Sequence, residues 1–306
     1  MRRLLTILAA LSLFAVPAAR AQGARDGLLV TAAWLAGHVN DANLVLLHVG
    51  PKPEYDAMHI PSARFLSLAD LSVTDRSPGG LTLQLPAPDD LRQRLQALGI
   101  SNSSRIVVYF GHDNPSVSPV ARVMFTLDYA GLGAQASVLD GGLDAWTGAW
   151  QATTTDVPPA RTGTLAPLAV RDLVVDADWV KARLATPGVA IIDSRTPAFY
   201  SGEQTGGGQA TPHKTGHIAG ARNVPFSSTV DEANRLRPAS ELQKAFADAG
   251  VKPGDTIVAY CHIGQQATQV VLAARSLGYT VRLYDGSFED WSRRDFPVEN
   301  PAAKKQ

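Results

Sequence analysis

Cys261 is the side chain of this sequence best suited to nucleophilic chemistry, and it is the only cysteine among the 306 residues. It directly follows the apolar run TIVAY and precedes a segment with helical spacing of apolar residues. A thiolate beside the free N–H groups of a helix start is stabilised, and the pKa of cysteine falls at such sites. The pattern therefore predicts an activated thiolate nucleophile, with His262 adding positive charge or a hydrogen bond. The alternative is a small, inert, buried side chain at the end of a strand.

The residues after Cys261 are expected to surround whatever group its sulfur carries. We predict a short loop over residues 262–266, with a helix beginning near Gln266 or Ala267. The candidate binding residues are His262, Ile263, Gly264, Gln265, Gln266 and Ala267. Cysteine phosphatases place an arginine six residues after their cysteine, where this chain has Ala267. Because a phosphate dianion needs that guanidinium, the loop favours a smaller bound group, such as one additional sulfur.

The elements that must position Cys261 occur twice along the chain, in the same order. Each half has a short helix, a buried strand, a second helix that ends before a glycine, and further strands and helices. We predict helices over 32–38, 88–98, 177–184 and 238–249, and strands at LVLLHV, RIVVYF, VAIID and TIVAY. Apolar strands that alternate with helices indicate an α/β fold of two domains, each a mostly parallel sheet flanked by helices. Such sheets bind ligands at the carboxyl ends of their strands, where Cys261 lies and where the first half has Phe110.

Composition divides the chain into four parts. Residues 1–21 predict a secretory signal peptide, with two arginines, an apolar run and the cleavage pattern Ala19-Arg20-Ala21. We predict a non-catalytic N-terminal domain over 22–150, a Pro/Thr-rich linker over 151–172, and a catalytic C-terminal domain over 173–306. The mature protein is expected in a bacterial periplasm, with no membrane association after signal cleavage.

The composition also excludes several classes of function. The formal net charge is zero, and no basic block indicates binding of nucleic acid. Seven histidines and one cysteine show no metal-ligand spacing, so neither a metal nor another cofactor is expected. His59 and His217 each stand in a His-Ile-x-x-Ala turn, and we expect them to hydrogen-bond the turn. Since the two halves can pack on each other, we expect a monomer.

Several motifs in matching order resemble the rhodanese family, specifically the exported bacterial type of tandem-domain sulfurtransferase. They are DSR at residues 193–195, GHIAGARNVPF at 216–226, DGG at 140–142 and YCHIGQQAT at 260–268. The resemblance implies that Cys261 takes sulfur from thiosulfate, releases sulfite, and passes the sulfur from a persulfide to a thiophilic acceptor, cyanide or a thiol. It also implies that Arg195 binds the small anionic donor. The alternative is a structural salt bridge of Arg195 with Asp193 or Glu203.

The loop CHIGQQ departs from both common subtypes of the family, so the sulfur donor stays open. Ile263 stands where thiosulfate enzymes often have lysine and mercaptopyruvate enzymes have serine. Ser201 stands where mercaptopyruvate enzymes carry a second arginine, and this favours thiosulfate over 3-mercaptopyruvate as the donor. A persulfide carrier that serves a partner protein is a further hypothesis. The glycine-rich segment 203–217 is expected to form a mobile surface loop near the site.

Overall fold

Each half of the chain forms a five-stranded sheet. The computed structural model describes residue 23 and residues 25–113, 116–208 and 211–305. The predicted signal peptide, residues 1–21, lies outside the described residues. Within the described ranges, every helix falls short of the length and apolar character needed to cross a bilayer.

The N-terminal sheet is parallel throughout and has helices on both faces. Its strands are β1 (Leu29–Val30), β2 (Leu44–Val49), β3 (Arg64–Leu66), β4 (Arg105–Phe110) and β5 (Ala136–Leu139). The strand order is β1-β5-β4-β2-β3. The helices are α1 (Ala32–His38), α2 (Lys52–Ala57), α3 (Pro88–Ala97), α4 (Val117–Tyr129) and α5 (Gly142–Gly148). Leu46 and Leu47 of β2 belong to separate apolar clusters, because neighbouring side chains of a strand point to opposite faces.

The C-terminal sheet repeats this arrangement. Its strands are β6 (Val174–Val175), β7 (Val189–Asp193), β11 (Arg222–Asn223), β12 (Thr256–Tyr260) and β13 (Thr280–Tyr284), in the parallel order β11-β7-β12-β13-β6. The helices are α6 (Ala177–Lys181), α7 (Pro197–Ser201), α8 (Ala239–Asp248), α9 (Gln265–Ser276) and α10 (Ser287–Ser292). Two short antiparallel pairs complete the domain: β8 (Gly207–Gly208) with β9 (Thr211–Pro212), and β10 (His217–Ile218) with β14 (Val298–Glu299).

The predicted α/β architecture of two similar domains is confirmed, and the four predicted strands have the expected bounds. Helix ends differ by small steps. The helix predicted over 177–184 ends at Lys181 and continues as a turn, in which Ala185 has a left-handed φ of +59° that does not continue a helix. The helix after Cys261 begins at Gln265, slightly earlier than predicted, so the loop is shorter than expected.

Helices α4 and α9 join the two domains face to face. Leu272 of α9 belongs to an apolar cluster of the N-terminal domain, and Phe125 of α4 belongs to one of the C-terminal domain. The predicted linker packs along the N-terminal domain, where Gly163 N–H donates to the Gln96 carbonyl at 2.8 Å. Beyond the carboxyl end of β13, Asp285 accepts the backbone N–H of Leu85 from the other domain at 3.0 Å.

Candidate active site

Cys261 lies immediately after β12 and is 1% exposed. Its backbone N–H donates to the hydroxyl oxygen of Ser287 at 3.2 Å, and its carbonyl accepts from Phe288 N–H at 3.0 Å. The next carbonyl, of His262, accepts from Glu289 N–H at 3.0 Å. These bonds attach the start of the loop to the first turn of α10. Strand β12 and helix α10 together therefore fix the position of the sulfur.

Four backbone N–H groups of the loop and of the first turn of α9 hydrogen-bond the sulfur of Cys261. They belong to Ala267, Ile263, Gly264 and Gln266. Burial raises the pKa of the Cys261 thiol, and the four hydrogen bonds lower it without cancelling the effect of burial. The expectation of a lowered thiol pKa was therefore wrong. The ring of donors is nevertheless suited to hold negative charge on a sulfur at this place.

Gly264 lets the chain turn from the loop into helix α9. Its φ of +83° lies in the left-handed region, and it occupies the N-cap position of the helix. A β-carbon at this residue would lie 2.9 Å from the carbonyl oxygen of Asp285. Both the backbone angle and the close approach therefore require glycine. The side chains of Gln265 and Gln266 follow it and are half-buried, as is Ile263.

Arg195 follows the end of β7, the strand that pairs with β12, and is 1% exposed. Its guanidinium donates to both carboxylate oxygens of Asp193, with Nη2 to Oδ2 at 2.6 Å, and Nη2 also donates to the Gly216 carbonyl at 2.7 Å. The structure thus contains the ion pair with Asp193 that was the alternative interpretation of this residue. Among the described residues, Nη1 has no hydrogen-bond partner. Burial opposes the charge of Arg195, but Asp193 keeps its pKa raised, and its charge lies close enough to interact with Cys261.

His262 contributes no positive charge to the site. Burial lowers the pKa of this imidazole to about 4, and the nearby Arg195 and His213 lower it further. The ring is therefore neutral at neutral pH, so of the two contributions expected of His262, positive charge or a hydrogen bond, the first was wrong. It keeps its capacity to hydrogen-bond, and it stands edge-on to the ring of Phe199 with centroids 4.6 Å apart.

The segment 203–217 lies against the site, as expected, and contributes residues that the sequence did not single out. Its backbone forms the β8–β9 hairpin, and His213 N–H donates to the Gly206 carbonyl at 2.9 Å. A β-carbon on Gly206 would lie 2.6 Å from Nδ1 of His262. The ring of His213 stands 5.7 Å from the ring of His262, and burial lowers the pKa of His213. Gly206 and His213 thus form one wall beside the Cys261 loop.

The two histidines of the His-Ile-x-x-Ala turns are structural, as predicted. His59 Nδ1 lies 2.6 Å from the Tyr55 carbonyl, and His217 Nδ1 lies 2.7 Å from the Tyr200 carbonyl. Each ring also stacks on the tyrosine that it contacts. Within the described ranges, no cluster of three His, Cys, Asp or Glu side chains is placed to hold a metal ion.

The corresponding place in the N-terminal domain is filled by the chain's own side chains. Phe110 occupies the position of the cysteine, and its ring lies so close to Gly142 that a β-carbon there would be 2.4 Å from Cε2. The carboxylate of Glu54 accepts the N–H of Asp113 at 2.5 Å and lies against Gly111. This domain therefore presents a carboxylate and an aromatic ring where the C-terminal domain presents a thiol.

Comparison with known proteins agrees with this duplicated architecture. The Rhodanese-like domain family matches residues 31–149 and 176–294. The chain belongs to the rhodanese family and carries two copies of its domain, as the sequence motifs predicted. It is an enzyme of the sulfurtransferase type.

Individual relatives match over most of the chain. A probable 3-mercaptopyruvate sulfurtransferase of Pseudomonas aeruginosa is 33% identical over 276 residues, which cover 86% of this chain and 94% of that protein. A putative thiosulfate sulfurtransferase of Synechococcus elongatus is 31% identical over 284 residues, covering 88% and 84%. The crystal structure of an anaerobic ergothioneine biosynthesis enzyme from Chlorobium limicola has a TM-score of 0.79 at 24% identity, covers 91% of this chain and 71% of that one, and shares the fold.

Proposed function

We propose that this protein transfers sulfur from thiosulfate to a thiophilic acceptor through a persulfide on Cys261. The observation that carries the proposal is one buried thiol at a strand end, enclosed by four backbone N–H donors. Such a ring stabilises a negative sulfur without any cationic group. Thiophilic acceptors include cyanide and thiols.

The first step loads the cysteine. After the Cys261 thiol has lost its proton to solvent, the thiolate attacks the outer sulfur of thiosulfate. The sulfur–sulfur bond of the donor breaks, and its electron pair leaves with sulfite. The product is a persulfide anion on Cys261, and the N–H groups of Ile263, Gly264, Gln266 and Ala267 around the cysteine sulfur stabilise its charge. The N–H groups of Arg195 Nη1 are available to a sulfonate oxygen while Asp193 holds the rest of the guanidinium.

The second step returns the free enzyme. Cyanide or a thiolate attacks the outer sulfur of the persulfide, the bond between the two sulfurs breaks, and Cys261 leaves as the thiolate. Thiocyanate, or a persulfide of the acceptor thiol, carries the sulfur away. Because one substrate leaves before the other reacts, the kinetics are expected to be ping-pong.

A second donor, 3-mercaptopyruvate, is favoured by the 33% identical relative named as a probable 3-mercaptopyruvate sulfurtransferase. It would load the same Cys261 persulfide: the thiolate attacks the sulfur of the donor, the carbon–sulfur bond breaks, and the enolate that leaves takes up the proton of the donor thiol to become pyruvate. Values of kcat/KM for the two donors, measured with the same acceptor, decide between them. A third candidate, a persulfide carrier for a partner protein, predicts a stable persulfide with weak turnover by cyanide.

Intact-mass spectrometry of the purified mature protein tests the proposal. Thiosulfate should add about 32 Da, one sulfur atom, and cyanide should remove it again. The variant Cys261→Ser, which keeps the size of the side chain, should gain no mass from any donor. Mass gain in Cys261→Ser would refute the assignment of the nucleophile, and no gain with thiosulfate but gain with 3-mercaptopyruvate would change the donor.

Export to the periplasm is part of the same proposal and is supported by the pattern of residues 1–21. The protein recovered from a periplasmic fraction should begin near Gln22, which the same mass measurement reads directly. A cytoplasmic protein with an intact N-terminus would contradict export.

We also propose a monomer, since the two domains bury faces of α4 and α9 against each other, and light scattering gives the oligomeric state.

A further inference from the structure

Arg122 is a buried cation that crosses from one domain to the other. It lies on α4 of the N-terminal domain and is 2% exposed. Its Nη1 donates to Oδ1 of Asp285 at 2.6 Å, and its Nη2 donates to the carbonyl of Leu83 at 2.6 Å. Nη1 also reaches the carbonyl of Gly264 at 3.5 Å. Two of these three partners belong to the C-terminal domain, and Gly264 is part of the loop around Cys261.

Asp285 lies directly beneath the same glycine. A β-carbon on Gly264 would stand 2.9 Å from the Asp285 carbonyl oxygen, 3.2 Å from its Oδ1 and 3.1 Å from Nη1 of Arg122. The other carboxylate oxygen of Asp285 accepts the backbone N–H of Leu85 at 3.0 Å. The N-terminal domain therefore binds both oxygens of this carboxylate, and the resulting ion pair forms the surface on which Gly264 rests.

We infer that Arg122 is a positioning residue for the Cys261 loop, through which the N-terminal domain takes part in the reaction. By holding the Gly264 carbonyl and the Asp285 carboxylate, it keeps the loop N–H groups directed at the sulfur. It also neutralises a buried carboxylate that would otherwise face the anion-binding ring. This inference rests on the proposed function of Cys261 as the sulfur carrier.

A second contact between the domains provides a matched control. Gln269, on α9, takes the place in the C-terminal domain that Arg122 takes in the N-terminal one. The hydroxyl of Ser118 on α4 donates to its Oε1 at 2.6 Å, and its amide nitrogen donates to the Phe226 carbonyl at 3.0 Å. Ser118→Ala removes a buried hydrogen bond between the same two helices but leaves the contacts of Gly264 intact.

Three variants separate charge from geometry. Arg122→Gln leaves the buried Asp285 carboxylate without its cation, whereas Arg122→Lys keeps the charge but not the paired N–H donors. The double variant Arg122→Gln with Asp285→Asn removes both charges and keeps neutral hydrogen bonds. It should fold even if the single Arg122→Gln does not, because no unpaired charge is buried.

Two readouts are measured on each folded variant: kcat/KM for thiosulfate, and the rate of Cys261 alkylation by iodoacetamide against pH. Arg122→Gln should lower kcat/KM by about tenfold or more and shift the alkylation midpoint to higher pH. The double variant should lie between Arg122→Gln and wild type, because a neutral hydrogen bond holds the loop more weakly than a charged one. Ser118→Ala should stay within about twofold of wild type.

Two results would overturn the inference. One is a folded Arg122→Gln, or the double variant in its place, with wild-type values in both readouts. The other is a loss in Ser118→Ala as large as that in Arg122→Gln, which would indicate a general effect of loosening the domains. The alkylation profile does not need sulfur transfer. If wild-type protein acquires no sulfur while the profile of Arg122→Gln still shifts, the proposed function fails and the positioning role remains.

Discussion

Cys261 and Arg195 are brought together by the pairing of two adjacent strands, in which Tyr260 of β12 lies opposite Asp193 of β7. The hydrogen-bond donors around the sulfur of Cys261 come from the backbone. Asp193 neutralises much of Arg195, and His262 is neutral. At the scale of single residues, the site is therefore weakly charged and depends on the geometry of backbone N–H groups.

Arg195 provides a prediction at this scale. Arg195→Ala would leave the buried carboxylate of Asp193 without its cation, with only the Tyr260 hydroxyl and a backbone N–H as donors. Because the loss of one partner of a buried ion pair costs about 3–5 kcal/mol, Arg195→Lys is the better variant. One ammonium group cannot pair with both carboxylate oxygens of Asp193 and bind the donor as well. We expect KM for thiosulfate to rise by about fivefold or more, with a smaller change in kcat, in steady-state kinetics.

The control is Arg275→Lys, the same substitution in the salt bridge of Arg275 with Asp128, at the far end of α9 from the site. It should leave KM unchanged. An unchanged KM in Arg195→Lys would mean that Arg195 only supports the structure.

Three elements shape the approach to the sulfur. Strand β12 and helix α9 place the loop, and the segment with the β8–β9 hairpin lies against it from the side. The contact is tight at Gly206, where a β-carbon would lie 2.6 Å from Nδ1 of His262. Because there is no room for even one additional carbon, the wall beside the loop depends on a glycine.

Gly206→Ala tests this contact between elements. The added methyl group should displace either the hairpin or the imidazole, with a loss of about 1–3 kcal/mol in unfolding free energy and a severalfold loss in kcat/KM for thiosulfate. Gly37→Ala in helix α1 is the matched control, since a β-carbon there meets nothing within 4 Å. It should raise stability by about 0.5–1 kcal/mol and leave the kinetics unchanged. Wild-type stability and kinetics in Gly206→Ala would show that the segment 203–217 can move to accommodate the methyl group, and would contradict the prediction.

The whole molecule is a pair of similar domains that exchange equivalent contacts. Asp285 at the end of β13 accepts Leu85 N–H of the other domain at 3.0 Å, and Asp140 at the end of β5 accepts Leu236 N–H at 3.0 Å. The chemistry differs between the two halves, whereas the packing of α4 against α9 is shared. The N-terminal domain, which has no thiol, therefore contributes structural contacts to the site of the C-terminal domain.

Stability against acid should depend on a buried histidine of the N-terminal domain. Burial lowers the pKa of His48 from 6.5 to about 4, and within the described residues its two ring nitrogens have no hydrogen-bond partner. A lowered pKa in the folded state gives stability that is complete above pH 6.5 and is lost as the pH falls toward 4. The loss attributable to this residue is about 3 kcal/mol.

His48→Phe should remove that part of the acid sensitivity, because a phenyl ring fits between Tyr55 and Tyr109 without a group to protonate. Urea unfolding at several pH values between 7 and 4 measures it. Equal slopes of unfolding free energy against pH in both proteins would contradict the prediction. His262 also has a lowered pKa, and its contribution to the acid sensitivity is the same in the wild type and in His48→Phe.

The sequence by itself determined the architecture and the place of the Cys261 thiol. Apolar runs such as TIVAY and LVLLHV predict buried strands, because the pattern of apolar residues is a local property of the sequence. The same order of strands and helices occurs in both halves of the chain, and this repetition predicts two parallel sheets. The position of Cys261 at a strand end follows from the same pattern. The motifs around residues 193–195 and 216–226 identified the family for the same reason, since each is a short continuous stretch.

Only the tertiary structure decided the electrostatics and the partners of the site. Burial raised the pKa of Cys261 and made His262 neutral, and burial depends on everything that surrounds a residue. Arg122 meets Asp285 across 163 positions of sequence, and Gly206 meets His262 through a hairpin packed from the side. Such contacts leave no periodic signal along the chain, because they arise only when separate elements and domains pack together.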